Sequence, residues 1–137
     1  MPQSRKEMEK IWDLVATYRS MERDGLIESI ANHIEFSQCK NRYTAEDFDI
    51  FRSLALSIRD RLVEFWNDTQ QTYHRKKCKQ VYYLSLEYLI GRSLKNNLLN
   101  LGISDAGEDA IQKIGYDLEE IQELEHDAGL GLSLIHI

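Results

Sequence analysis

Apolar positions recur every three or four residues along most of this chain, and that rhythm is interrupted only once. Met8, Ile11, Trp12, Val15 and Tyr18 share one face of a helix expected over 7–18. Asp24 and Gly25 can open a second helix running through Leu26, Ile27, Ile30, Ile34 and Phe36. The stretch FSQCKNRY, residues 36–43, loses periodicity and reads as a loop. Thr44 followed by Asp47 has the form of a capping box with Asp in place of the usual Glu. Beyond it, Phe48, Phe51, Leu54, Ala55, Ile58, Leu62, Phe65 and Trp66 form one broad stripe. They predict a helix from Ala45 to Tyr73, well above the usual length.

The interruption is VYYLSLEYLIGR, residues 81–92. Its β-branched and aromatic start predicts a strand over Val81–Leu86. Helical spacing returns with Leu89, Ile90, Leu94, Leu98, Leu99 and Leu101, and Gly102 stands where a helix ends. Gly91 within that pattern lowers helix propensity by ~1 kcal/mol and suggests a close approach of backbone. Ser104 can cap a short helix containing Ala110, Ile111 and Ile114, closed by Gly115, and Leu118, Ile121 and Leu124 form a last small stripe. One strand set among helices reads as an α/β pattern, with residues 1–43 as helices and loop and 44–137 as the long helix and the start of an α/β domain.

Composition adds bounds. A chain of 137 residues with 42% hydrophobic and 29% charged residues is long enough for one packed core and too apolar for whole-chain disorder. The formal charge of -6 weighs against general nucleic-acid binding. No apolar run approaches a membrane span, and the charged opening MPQSRKEMEK lacks the apolar core of a secretory signal. Cys39 and Cys78 are far apart and outside any CxxC motif, as expected of reduced thiols. A cytoplasmic setting is the expectation.

Candidate chemistry is sparse. Glu87 falls either where the strand ends, the edge at which α/β units hold ligands, or at the start of the next helix, where a carboxylate gains from the dipole. His33, among apolar positions and without a ligand at metal spacing, reads as structural. Asp60 and Glu64, near Arg59 and Arg61, read as a charged helix face in solvent-like surroundings. Arg75, Lys76, Lys77 and Lys79 lack the aromatic support of a nucleic-acid site and read as a solvated helix end. Glu119, Glu120, Glu123 and Glu125 spread over too wide an arc for a metal cluster, and no metal is expected. In Asp127–Gly131, closely spaced glycines can let backbone amides face an anion.

YYLSLEYLIGR (82–92) resembles the N-terminal signature region of the α-glucan phosphorylases: the glycogen, starch and maltodextrin enzymes. The likeness continues through SIRDRLVEFWNDTQQTY (57–73), NNLLNLGI (96–103) and GYDLEEIQELEHDAGLG (115–131), covering roughly residues 25–131. Several motifs in order make it specific. It implies the first strand and helices of a large Rossmann-like domain of glycosyltransferase-B type, cut short, in a dimeric enzyme that releases glucose 1-phosphate from α-1,4-glucan with orthophosphate. It also implies pyridoxal phosphate on a lysine of a C-terminal domain that this chain lacks. By resemblance, Glu87 lines the cleft and helps order the glycine loop, to which Gly129 and Gly131 belong.

The departures from the family pattern are specific. After Gly131 the expected NGG is replaced by LSLIHI, residues 132–137, so the loop is cut short. The expectation is an N-terminal fragment, inactive by itself, with a tail that can derive from assembly or cloning. In the animal enzymes a nucleotide and phosphoserine site lies at the dimer interface. Arg42 keeps one of its phosphate-binding arginines and Trp66 is retained, while Asn41 replaces an aspartate and His74 a nucleotide-stacking tyrosine. Asp68 stands where a second arginine belongs, which turns attraction for phosphate into repulsion and weighs against phosphoserine control of animal type. The alternative expectation is a non-catalytic helical interaction module docking through Phe48–Trp66.

Overall fold

A computed structural model of the chain describes residues 18–88 and 90–127. The expected helix over 7–18, except Tyr18, and the expected loop residues Gly129 and Gly131 lie outside them. Helix α1 (Arg23–Asn32) continues into a π-helical turn (His33–Ser37), and the long α2 (Asp47–Lys76) follows. The short helices α3 (Leu94–Leu101), α4 (Ser104–Lys113) and α5 (Leu118–Glu123) complete the order. Helix α2, 30 residues and therefore about 45 Å long, carries α1, α3 and α5. Helix α4 closes the other side by packing on α1, α3 and α5.

The core forms where the periodic stripes meet. Ile50, Leu54 and Ile58 of α2 are buried with Leu26 and Ile30 of α1 and with Leu94 and Leu98 of α3. Ile103, Ala110, Ile111 and Ile121 complete the cluster. The outer part of the predicted α2 stripe is not covered: Phe48, Phe65 and Trp66 are exposed among the described residues.

Local chemistry moves several element ends. The N-cap of α2 is Glu46, not Thr44: its side chain and that of Asp49 form a reciprocal capping box, with the Glu46 amide donating to Asp49 Oδ2 at 3.0 Å. That bond holds the Asp49 carboxyl below the usual carboxylate range, and Lys40 at 3.3 Å adds to it. Thr44 instead closes the preceding loop, its hydroxyl accepting from the Asn41 amide at 3.1 Å. At its far end α2 runs to Lys76, with His74, Arg75 and Lys76 placed to complement the dipole. Ser104 is the first residue of α4 and gives no side-chain cap. Asp117, by contrast, caps α5 through bonds from the Glu119 and Glu120 amides.

One arginine departs furthest from its sequence reading. Arg61 is not on a solvated face but fully buried. Its Nη1 donates to the Ser57 carbonyl at 2.7 Å, while Nε at 2.9 Å and Nη2 both donate to the Ser20 carbonyl. Burial pushes its pKa down from the usual arginine value. On the neighbouring face, Arg19 Nε meets Asp60 Oδ2 at 3.1 Å, the Arg19 amide donates to Glu64, and the Tyr18 hydroxyl donates to Asp68 at 2.5 Å. Residues 18–20 are thereby strapped to α2. His33 is structural, as its sequence setting implies: Nδ1 lies 2.8 Å from Ser37 Oγ and Nε2 3.2 Å from Asp60 Oδ2.

The expected strand over Val81–Leu86 does not form. Val81 and Leu84 are 96% and 93% exposed, and the described residues contain no extended strand, only an isolated bridge residue at Tyr88. A strand is stabilised by ladder bonds and cross-strand pairs, and no described segment supplies them here. The following helix starts at Leu94 rather than near Tyr88. Gly91 is responsible in part: it sits at φ +67 with open space where a side chain would be, so it serves a left-handed turn and not a close approach.

Three outcomes follow from this packing. Leu54→Ala lowers unfolding free energy by about 2–5 kcal/mol in urea melts, because Leu54 is wholly buried. Arg61→Ala costs about 2–4 kcal/mol by the same measurement, through a cavity and unpaired carbonyls, whereas exposed Arg59→Ala stays within about 0.5 kcal/mol. The depressed Asp49 pKa contributes stability that is complete above the unfolded carboxylate value of 3.8 and is lost as pH falls through the lower folded value. Asp49→Asn therefore flattens the acid limb of a Tm-against-pH curve.

Candidate functional site

Glu87 lies in the exposed chain between α2 and α3, neither at a strand end nor in a helix. Its amide donates to Ser85 Oγ at 3.2 Å and its carbonyl accepts from the same hydroxyl at 2.7 Å, a tight local turn. Its carboxylate faces solvent and makes no bond to another described residue. The apolar run before it, Val81 to Leu86, is uncovered as well.

Four residues after Glu87 the chain is gripped. The Gly91 amide donates to Asp127 Oδ1 at 3.1 Å. Arg92 Nε donates to the Glu125 carbonyl at 3.1 Å, and Arg92 Nη1 pairs with Glu123 at 2.7 Å. The Glu125 carboxylate then takes the Ser93 amide at 2.7 Å and the Ser93 hydroxyl at 3.1 Å on Oε1, and the Leu94 amide at 3.0 Å on Oε2. These are the otherwise orphaned donors at the start of α3, for which Ser93 gives no side-chain cap of its own. Both sides of the grip rest on the core, through buried Leu94 and Leu98 of α3 and buried Ile121 of α5.

This contact brings together the edges of two stretches singled out separately in the sequence. Asp127 stands two residues before Gly129 and four before Gly131, while Gly91 stands four after Glu87. Sequence reading assigned Glu123 and Glu125 to acidic surface and missed the role of Glu125. Its partners lie 31 and 32 residues away, and no local spacing signals such a cap.

The residues expected at an effector site are not assembled within one copy of the chain. Asn41 and Arg42 occupy the exposed loop before α2, where Asn41 Oδ1 accepts from the Tyr43 amide at 2.9 Å and the Arg42 guanidinium lies 5.8 Å from the Tyr43 ring centre. Trp66 and His74 are exposed on the far half of α2. From the helix start at Asp47 to Trp66 the axial rise is about 28 Å, so loop and tryptophan sit at opposite ends.

A Schiff-base cofactor needs a lysine facing an enclosed pocket. Lys76, Lys77, Lys79, Lys95 and Lys113 are exposed and Lys40 is engaged with Asp49, so the described lysines do not fit pyridoxal phosphate. Among the described residues no group of three or more His, Cys, Asp or Glu side chains is placed to hold a metal ion. No described helix is long and apolar enough to cross a membrane. Cys39 and Cys78 are free and exposed.

No family model matches the chain. Curated relatives do. The chain is 38% identical to glycogen phosphorylase 2 of Dictyostelium discoideum over 126 residues, 92% of its length and 13% of the relative's. It is 46% identical to the human brain form of glycogen phosphorylase over 104 residues, 76% of the chain and 12% of the relative. With the bovine liver form the identity is 48% over 99 residues, 72% of the chain and 12% of the relative. The chain thus spans about an eighth of the length of the relatives it matches. A colinear match of this extent, running through the Glu87 stretch and the clamp, shows that the chain belongs to the glycogen phosphorylase family and corresponds to a short N-terminal part of it.

Proposed function

We propose that the chain is the N-terminal part of an α-glucan phosphorylase, which releases glucose 1-phosphate from the end of an α-1,4-glucan by attack of orthophosphate. The observation that carries this reading is the 126-residue match to a glycogen phosphorylase. Residues 1–43 supply the helical lead-in, and 44–137 the long helix and the opening of a Rossmann-like domain of glycosyltransferase-B type. In that setting Val81–Leu86 becomes a paired strand, Glu87 lines the cleft, and Gly129 and Gly131 contribute amides to the phosphate loop. Pyridoxal phosphate belongs to the longer protein, on a lysine outside this chain. The segment alone is inactive.

Assembly as a cytoplasmic homodimer is part of the same proposal. The separation of Asn41 and Arg42 from Trp66 and His74 along α2 supports it, since two antiparallel copies bring the loop of one to the far helix end of the other. With Asp68 in place of a cation, effectors at that interface are not of the animal phosphoserine type. A second reading, a helical interaction module without catalysis, is favoured by exposed Phe65, Trp66 and Tyr73 along α2.

The test is phosphorolysis by the full-length protein encoded around this segment. Glucose 1-phosphate should accumulate from α-1,4-glucan and orthophosphate, with none from the 137-residue chain. Full-length protein that releases no glucose 1-phosphate overturns the proposal. Light scattering separates the second reading, which requires the isolated chain to be monodisperse and cooperatively folded. Association through uncovered apolar faces is the outcome for a part of a larger enzyme.

A further inference from the structure

We infer that Glu125, with Asp127, is a positioning residue that fixes the turn after Glu87 against the segment leading into the glycine loop. Four consecutive residues, Gly91 to Leu94, are each anchored to residues 123–127. Such a set of bonds fixes register as well as distance. A slip by one residue would take both Leu94 off the core and the Gly91 amide off Asp127. Gly91 adds a second constraint, because its φ of +67 admits few other residues. Glu125 supplies the charge that α3 lacks at its start, one carboxylate serving two amides and a hydroxyl.

The consequence is geometric. Four residues of chain reach at most about 14 Å, so Glu87 cannot stray further than that from the gripped Gly91. The same carboxylate-bearing segment holds Asp127, two residues before Gly129. Glu125 therefore sets how the Glu87 stretch and the glycine loop approach each other without touching substrate itself. The positioning role rests on the phosphorolysis reading, while the clamp stands on the contacts alone.

The experiment has two arms. In the 137-residue chain, Glu125→Ala should speed amide exchange at Ser93 and Leu94 at least about tenfold while Leu54 and Ile58 stay protected, and Glu125→Asp should restore part of the protection. In the full-length enzyme, the same change should raise KM for orthophosphate several-fold with little change in KM for glucan, and Glu125→Asp should recover part of it. Should Glu125→Ala fail to fold, Asp127→Asn, close in shape, replaces it, with the Gly91 amide and phosphate KM as readouts. Unchanged exchange overturns the clamp. Faster exchange with an unchanged phosphate KM overturns the positioning role. A wild-type enzyme without phosphorolysis removes the functional reading and the positioning role with it, while the exchange arm still decides the clamp.

Discussion

The constraint on which the rest depends is the burial of a narrow strip of α2. Ile50, Leu54 and Ile58 succeed one another at four-residue spacing and meet α1 on one side and α3 on the other. Without that strip the short helices have little to hold them: α3 has eight residues and α5 six, both below the length at which an isolated helix persists in water. Polar contacts then fix positions that apolar packing leaves loose. Arg61 bridges the Ser20 carbonyl to α2, Gln38 reaches Ser53 Oγ and the Asp49 carbonyl, and Glu125 ties α3 to the end of α5.

Legibility in the sequence followed whether the stabilising partner was local. Helix α2 was readable because its stripe is a property of one segment, and its limits differ from expectation by only two or three residues. The shift from Thr44 to Glu46 at its cap reflects two overlapping boxes, of which the one ending at Asp49 also gains Lys40. His33 was readable for the same reason, with Ser37 one turn away. Arg61 was not: its charge pointed to solvent, while its acceptor lies 41 residues upstream. The strand over Val81–Leu86 had the right residue types, but strands are made by their neighbours and none is present among the described residues.

The same division applies to the site. Glu87 and the glycine loop were identified from residue types and by resemblance, and what links them was not. Glu125 looked like one of several surface acids because its partners, Ser93 and Leu94, are distant in the chain. The two exposed features, the apolar run Val81–Leu86 and the free Glu87 carboxylate, adjoin each other. They describe an edge prepared for chain that this segment does not contain, in keeping with a match to about an eighth of each relative.

That account is tested most directly by amide exchange at Tyr82, Tyr83 and Leu84, compared between this chain and the full-length enzyme. Fast exchange in the short chain and strong protection in the long one is the predicted result, since the strand forms only when its neighbours arrive. Protection in the short chain, or fast exchange in both, would contradict it.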